Sequence, residues 1–244
     1  MTSTQCESHV VQVDDDFDPV KKNLEKQHLV AETSNSRAAF VARVYAVCAV
    51  QVLICVATSL VVGFQLDIRS WVLKHFLACF LTSISFFVVS SLTFSCFFRK
   101  APLNKILIII ATLSAATMLS SLTVIFFASG NAVLVLQALV MTLVLFVALS
   151  LFAWFSGADF SGWGVGLSIA LTTLVTLSVF SAVFGYSNSY WFIVLGIVIF
   201  SFFVVYDTQL IKNKLRDDEY LLGGMMLFLD FLNLFINLLR LLRR

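Results

Sequence analysis

Two acidic residues lie within apolar segments in the last forty residues of the chain. Asp230 lies ten residues into the apolar segment Tyr220–Leu242, and Asp207 lies near the end of the preceding one. Ten residues of helix cover about 15 Å, too far for a short carboxylate to reach water at a membrane surface. A charged group at such a depth is costly and usually has a function. Asn233 and Asn237 follow Asp230 at i+3 and i+7, so one helix face carries a polar stripe.

Two carboxyl groups on consecutive helices could form a single site. In a low-dielectric interior they cannot both ionise without a large electrostatic cost, so the pair would hold one proton. The pair could also take up Ca²⁺, which prefers oxygen ligands and negative charge. Because Ca²⁺ needs about six to eight oxygens, two carboxylates favour weak binding in transit over storage. Counting helical rises places Asp207 nearer the membrane surface than Asp230, so the pairing requires the last helix to begin in the cytosol or to deform at Gly223-Gly224.

The composition indicates an integral membrane protein. Apolar residues make up 60% of the 244 residues and charged residues 12%, against roughly 45–50% and about 25% in soluble domains. A soluble domain of this length could not bury so much apolar surface, and a disordered chain would be more polar. The net charge of +2 provides no basic surface for nucleic acid.

The apolar residues form continuous runs that predict transmembrane helices. Each run has about 20 residues or more, the length that crosses the hydrocarbon of a bilayer, and transmembrane strands would instead alternate over about ten. Short links make neighbouring helices antiparallel. We therefore predict an all-α fold, a polytopic bundle of seven transmembrane helices. The predicted spans are Phe40–Phe64, His75–Phe98, Ile106–Ser129, Ala132–Ser156, Trp163–Phe184, Tyr190–Leu210 and Tyr220–Leu242.

The charges outside the spans predict a tail and an orientation. Residues 1–39 carry seven acids and four bases without an apolar run, so we expect a disordered, acidic, cytosolic tail before a transmembrane domain at 40–244. A cytosolic N-terminus also places the basic loops at 99–105 and 212–216 in the cytosol, as the positive-inside rule requires. Arg240, Arg243 and Arg244 disagree with this orientation if the last segment spans, because they would then face outward. A re-entrant last segment would bring them back to the cytosol, but its 23 residues favour spanning. Arg43 lies within one turn of the first span's start and can reach the interface.

Motifs for catalysis or a resident cofactor are missing from the sequence. There is no G-x-S-x-G, H-E-x-x-H, Walker loop or dinucleotide motif, and the five cysteines include no C-x-x-C. Intramembrane aspartyl proteases also place aspartates in consecutive helices, but Phe228-Leu229 precedes Asp230 here instead of their Gly-x-Gly, and no proline follows Pro102. We therefore predict that the protein is not an enzyme and has no cofactor.

Four stretches resemble the Bax-inhibitor-motif family (TMBIM, or Lifeguard) in their order and spacing. Together they extend across almost the whole predicted bundle, and the last contains the polar stripe. The stretches are Phe40–Tyr45 with Gln51, Ala158–Gly164, Val204–Gln209 and Leu227–Arg240.

The resemblance implies more than the residues alone. It implies a central last helix and a pH-sensitive, calcium-permeable leak in the endoplasmic reticulum, Golgi or lysosome, which lowers store calcium and inhibits apoptosis. The family's paired aspartates fall on Asp207 and Asp230. Its arginine latch would fall at Phe97, with Arg99 as a substitute, and Gln137 replaces an acidic residue of its fourth helix. The compact, Phe-rich chain is similar to viral homologues such as those of cytomegaloviruses.

A second function remains open at this stage. The protein could inhibit apoptosis by contacting apoptosis-regulating membrane proteins, with the two acids merely structural. In that case protection from cell death would survive the loss of both carboxylates. If the protein is instead a calcium leak, protection would be lost with the two carboxylates, because ion permeation would depend on them.

Overall fold

The computed structural model describes residues 19–160, 162–184 and 190–243, and the regular structure in these ranges is helical. The helices follow one another through short links, as the apolar runs predicted. They are α1 (Pro19–Phe64), α2 (Leu66–Lys74), α3 (Phe76–Phe97), α4 (Leu103–Ala128), α5 (Ala132–Phe155), α6 (Gly164–Phe184), α7 (Tyr190–Asn213) and α8 (Tyr220–Leu242).

Within these ranges, six helices are long and apolar enough to cross a membrane, namely α3, α4, α5, α7, α8 and the part of α1 from Asn35. Helix α6 is apolar over the shorter stretch Gly164–Ser178. The all-α class and the multi-pass membrane character predicted from the sequence are therefore confirmed. Most span ends agree within a few residues, because hydrocarbon thickness fixes the length of an apolar helix.

Two features at the ends of α1 differ from the prediction. Helix α1 begins at Pro19, well before the expected start at Phe40. The acidic run at 14–18 lies outside the described residues, so the disordered tail stays a prediction for that segment. At the other end, the chain forms the nine-residue helix α2 instead of a simple link. Only Val72 of α2 is buried, and Trp71 is exposed, as in a short helix lying at a membrane surface.

The residues from Phe40 to Arg244 form one compact unit, in which α4 and α8 are the most buried spans. In their most apolar windows, 67% of α4 and 61% of α8 residues are buried, against 6% in α3. Helices in lipid associate through close packing because the lipid tails are as apolar as the side chains. Small residues allow that approach in α4, where Ala111, Ala115 and Ala116 are almost fully buried.

Two adjacent glycines let α8 approach α1 closely. A Cβ added at Gly224 would lie 2.6 Å from Cγ1 of Val47, and one at Gly223 would lie 3.2 Å from the side chains of Val44 and Leu215. These contacts fix the depth at which α8 enters the bundle. The same hairpin of α7 and α8 carries both intramembrane aspartates.

We predict that Gly224→Ala destabilises the protein by about 1–3 kcal/mol, the usual cost of overpacking. The added methyl must displace Val47, whose branched side chain has little rotameric freedom. Thermal unfolding of the purified protein in detergent measures the effect. Gly166→Ala in α6 is the matched control, because nothing lies within 4 Å of its added Cβ. Equal melting temperatures for the two variants would refute the close contact.

Candidate functional site

The structure brings Asp207 of α7 and Asp230 of α8 together inside the bundle. Their carboxyl groups are close enough to interact directly, and the two residues are only 7% and 5% exposed. A hydrogen bond between two carboxyl groups needs a proton on one of them. Two ionised carboxylates at this site would repel each other, so one shared proton is the arrangement that the burial favours.

The register of the α7–α8 hairpin explains why the two aspartates meet. Helix α7 continues to Asn213, three residues beyond the predicted span end at Leu210. The helical segment that follows Asp207 is therefore longer than the sequence predicted. After the turn, Leu215 lies against Gly223. Eight residues separate Asp207 from Leu215, and seven separate Gly223 from Asp230. The two arms of the hairpin therefore have nearly equal lengths, and the depth difference expected from the sequence was wrong.

Buried apolar side chains lie above and below the carboxyl pair along its helices. Leu227 and Leu234, one turn before and after Asp230 on α8, are fully buried, as is Val204, one turn before Asp207. Oδ2 of Asp230 is itself buried and has no hydrogen-bond partner among the described residues. A buried polar atom without a partner is uncommon in native proteins and marks a position that a water molecule or an ion could satisfy.

The asparagines that follow Asp230 bond to their own helix. Nδ2 of Asn233 donates to the carbonyl of Leu229, and Nδ2 of Asn237 donates to the carbonyl of Asn233, both at 2.8 Å. Asn237 is buried and lies against Gly196 of α7, where a Cβ would come within 2.8 Å of its Oδ1. The polar stripe therefore continues from the acid pair along the α7–α8 interface, and its two amides are not bonded to the carboxyls.

Arg99, expected as a latch, pairs with Glu219. Its Nε and Nη2 donate to Oε1 of Glu219 at 3.0 and 2.7 Å. The other carboxylate oxygen accepts the backbone N–H of Arg216 at 3.2 Å. Arg99 follows the end of α3 and Glu219 precedes α8, so this ion pair joins two loops at one end of the bundle. Whether it acts as a latch on the acid pair stays a prediction.

The loop environment lowers the pKa of Glu219. Burial alone would raise it, but the hydrogen bonds from Arg99 and from the backbone of Arg216, with the charges of both arginines, outweigh burial. A carboxylate whose pKa is lowered on folding stabilises the protein at pH values above its ordinary pKa. That stabilisation is lost as the pH falls through the lowered value, and it does not change around pH 7.

The loop between α5 and α6 is fastened to α7 at the same end. Gln209 accepts the N–H of Phe160 at 2.9 Å and donates to the carbonyl of Ala158 at 2.8 Å. Nζ of Lys212 donates to the carbonyl of Trp154, in the last turn of α5, at 2.7 Å. Two of the four stretches that carry the family resemblance thus contact each other through Gln209, two residues beyond Asp207.

The other candidate residues lie apart from the pair. Arg43 is exposed on α1, as expected for a side chain that reaches the interface, and Gln137 is exposed on α5 next to the buried Ala138. No group of three or more His, Cys, Asp or Glu among the described residues could hold a metal ion. Two carboxyls alone would supply only part of the six to eight oxygens that a Ca²⁺ ion takes.

Sequence reasoning missed Glu219 and the clamp by Gln209 and Lys212. Glu219 lies 120 positions from Arg99, so no local spacing links them. The signal that the sequence offered was the residue type of Glu219, an acid close to the basic residues Lys212, Lys214 and Arg216.

The fold and the acid pair define a polytopic helical membrane protein with two carboxyl groups buried side by side in its bundle. A family model described as "Inhibitor of apoptosis-promoting Bax1" matches residues 37–244. Protein lifeguard 4 of Mus musculus is 30% identical over 84% of each chain. The Golgi anti-apoptotic protein of Vaccinia virus (strain Lister) is 32% identical over 84% of this chain and 85% of its own. Human protein lifeguard 3 is 27% identical over 84% of this chain and 68% of its own.

The chain therefore belongs to the Bax-inhibitor-motif family, as the four stretches predicted. The names of these relatives describe lifeguard and anti-apoptotic proteins rather than enzymes. The Golgi anti-apoptotic protein among these relatives is viral and comes from Vaccinia virus. A herpesvirus origin for this chain stays a prediction.

We predict that Glu219→Gln lowers the melting temperature by several degrees at pH 6–8, because it removes the ionic partner of Arg99. The difference from the unaltered protein should be constant over that range and should shrink as the pH falls below about 4.5, the ordinary value for the group. Asp218→Asn is the matched control, since Asp218 is 64% exposed and 3.4 Å from Arg216 and should have little effect. A difference that changes between pH 6 and 8 would contradict this assignment.

Proposed function

We propose that the protein is a pH-sensitive, calcium-permeable leak of intracellular membranes, which lowers store calcium and so inhibits apoptosis. The observation that carries the proposal is the buried, direct interaction between the carboxyl groups of Asp207 and Asp230. A charged group in a membrane interior is rare and typically marks an ion or proton path. Two such groups that share a proton provide a site whose charge changes with pH.

The packing of the pair supports a closed resting arrangement. A shared proton joins α7 to α8, while loss of that proton would leave two negative charges that repel each other and attract Ca²⁺. The buried side chains one turn away would then have to separate before an ion could pass. Weak binding by two carboxylates suits conduction, because a tightly held ion would not leave.

We propose seven spans with α8 at the centre, and a cytosolic N-terminus. The extensive burial of α8 and its contacts with α1, α5 and α7 support the central position. The orientation rests on the basic residues at 99–105 and 212–216. These residues lie in or next to the two loops that the Arg99–Glu219 pair joins at one end. With this end in the cytosol, the calcium path runs from the store through the acid pair to these loops.

The anti-apoptotic role is supported by the relatives. The Vaccinia virus relative is named a Golgi anti-apoptotic protein, which favours an intracellular membrane and a protective effect. The same name fits a protein that protects cells through partner contacts alone. The two functions differ in whether protection needs the carboxyl pair.

We predict that purified protein in liposomes carries a Ca²⁺ flux that changes between pH 6 and 8. Asp207→Asn or Asp230→Asn should abolish this pH response, so that the ratio of fluxes at the two pH values becomes about one. Asparagine keeps the size and hydrogen-bonding capacity of aspartate but has no titratable proton. A calcium-sensitive dye inside the liposomes measures the flux.

Asp67→Asn is the matched control, because Asp67 is exposed in α2, and it should keep the pH response. Circular dichroism and size-exclusion chromatography establish that each variant is folded. An unchanged pH response in both intramembrane variants would contradict the proposal. No flux from folded protein at any pH, with cell protection that survives the loss of both carboxylates, would establish the interaction function instead.

A further inference from the structure

A cavity of about 300 Å³ lies between α1, α4, α5 and α8, at the end of the bundle opposite the Arg99–Glu219 pair. Phe64, Phe127 and Ala132 line it where α1 and α4 end and α5 begins. On α8 it is lined by Phe231 and Phe235, the first of which directly follows Asp230. The cavity thus extends from one membrane surface to the layer next to the carboxyl pair.

The exposure of the lining residues shows where the cavity opens. On its inner wall, Cys55, Leu119 and Phe235 are 1%, 6% and 3% exposed. At its outer edge, Val133 and Leu136 of α5 are 63% and 60% exposed. Exposed apolar side chains on membrane-spanning helices face lipid tails. The cavity therefore opens sideways, between α1 and α5, into the hydrocarbon of the bilayer.

The lining is almost entirely apolar, and its two hydroxyl groups already bond within the protein. Its hydroxyls belong to Ser59 and Thr123. Ser59 bonds to Ser120 at 3.4 Å, and Thr123 donates to the carbonyl of Leu119 at 3.1 Å. An apolar space of this kind does not hold water, and leaving it empty would forfeit dispersion contacts along its walls. Hydrocarbon is therefore the occupant that its chemistry favours.

The shape of the cavity selects a single chain. The lining residues of α1 run from Val52 to Phe64, a length of about 18 Å at the helical rise. A cylinder about 10 Å wide and about 18 Å long would need on the order of 1,400 Å³, several times the cavity volume of about 300 Å³. A helix of a partner protein is about 10 Å across with its side chains, which is too wide to enter.

We propose that this cavity binds one acyl chain of a membrane phospholipid, which enters between α1 and α5. The chain packs against Phe231 and Phe235 and fills the space beside α8 next to Asp230. Phe231 is held from its other side by Phe146 of α5, with ring centroids 5.6 Å apart. A bound chain thereby stabilises the position of the helix that carries one of the two carboxyls.

Photolabelling of the full-length protein in lipid nanodiscs tests the proposal. The probe is a phosphatidylcholine with a diazirine near the end of one acyl chain, and mass spectrometry locates the labelled residues. We expect label on the inner wall at Cys55, Leu119 or Phe235, besides lipid-facing positions such as Val89, which is 63% exposed. This readout does not use calcium flux, so it is independent of the leak.

A cavity-filling variant and a matched control make the test specific. Val135→Trp on α5 fills the cavity from its wall and should abolish the inner-wall label while Val89 stays labelled. Val144→Trp, on the lipid face of the same helix where Val144 is 65% exposed, should keep it. Val56→Trp repeats the filling from α1 if Val135→Trp does not fold.

Two results would overturn the proposal. In the unaltered protein, label at Val89 without label on the inner wall would show that no chain enters. Inner-wall label that persists in the folded filling variant would show that it does not come from this cavity. A free fatty acid bearing the same diazirine serves as a second probe. Inner-wall label from the fatty acid but not from the phospholipid would overturn the phospholipid assignment.

Discussion

The contact between two carboxyl groups inside an apolar helix bundle constrains the rest of this structure. Two ionised carboxylates side by side in low dielectric would repel each other strongly. The contact between Asp207 and Asp230 is therefore expected to last only while the two groups share a proton. The hairpin of α7 and α8 sets their register through Leu215 and Gly223. The tight packing of Gly224 on Val47 then holds α8 against α1.

The two ends of the bundle support this contact in different ways. At one end, polar contacts fasten the loops: Arg99 pairs with Glu219, and Gln209 holds the α5–α6 loop. At the other end, the helices separate around an apolar cavity that reaches Phe231. The acid pair lies between a polar clamp and a space suited to hydrocarbon. Substitutions in the loop contacts or in the cavity are therefore expected to alter the acid pair by shifting the position of α8.

Much of the fold could be predicted from the sequence, because continuous apolar runs between short polar links fix where transmembrane helices begin and end. The class, most of the span ends and the family followed from these runs and from four short stretches. Helix α2 was missed because nine residues of mixed polarity have no transmembrane signal. The depths of Asp207 and Asp230 were wrong because they depend on a tertiary contact between Leu215 and Gly223. Glu219 was missed because its partner Arg99 is distant in sequence.

The most direct test of this account is a count of protons on the Asp207–Asp230 pair. Infrared spectroscopy of protein labelled with ¹³C-carboxyl aspartate separates protonated from ionised side chains. At pH 7 we expect one protonated carboxyl per chain, and it should be missing from the spectrum of the double variant Asp207→Asn, Asp230→Asn. Two fully ionised carboxylates at pH 7 in the folded, unaltered protein would contradict the shared proton, and with it the physical basis of the proposed pH response.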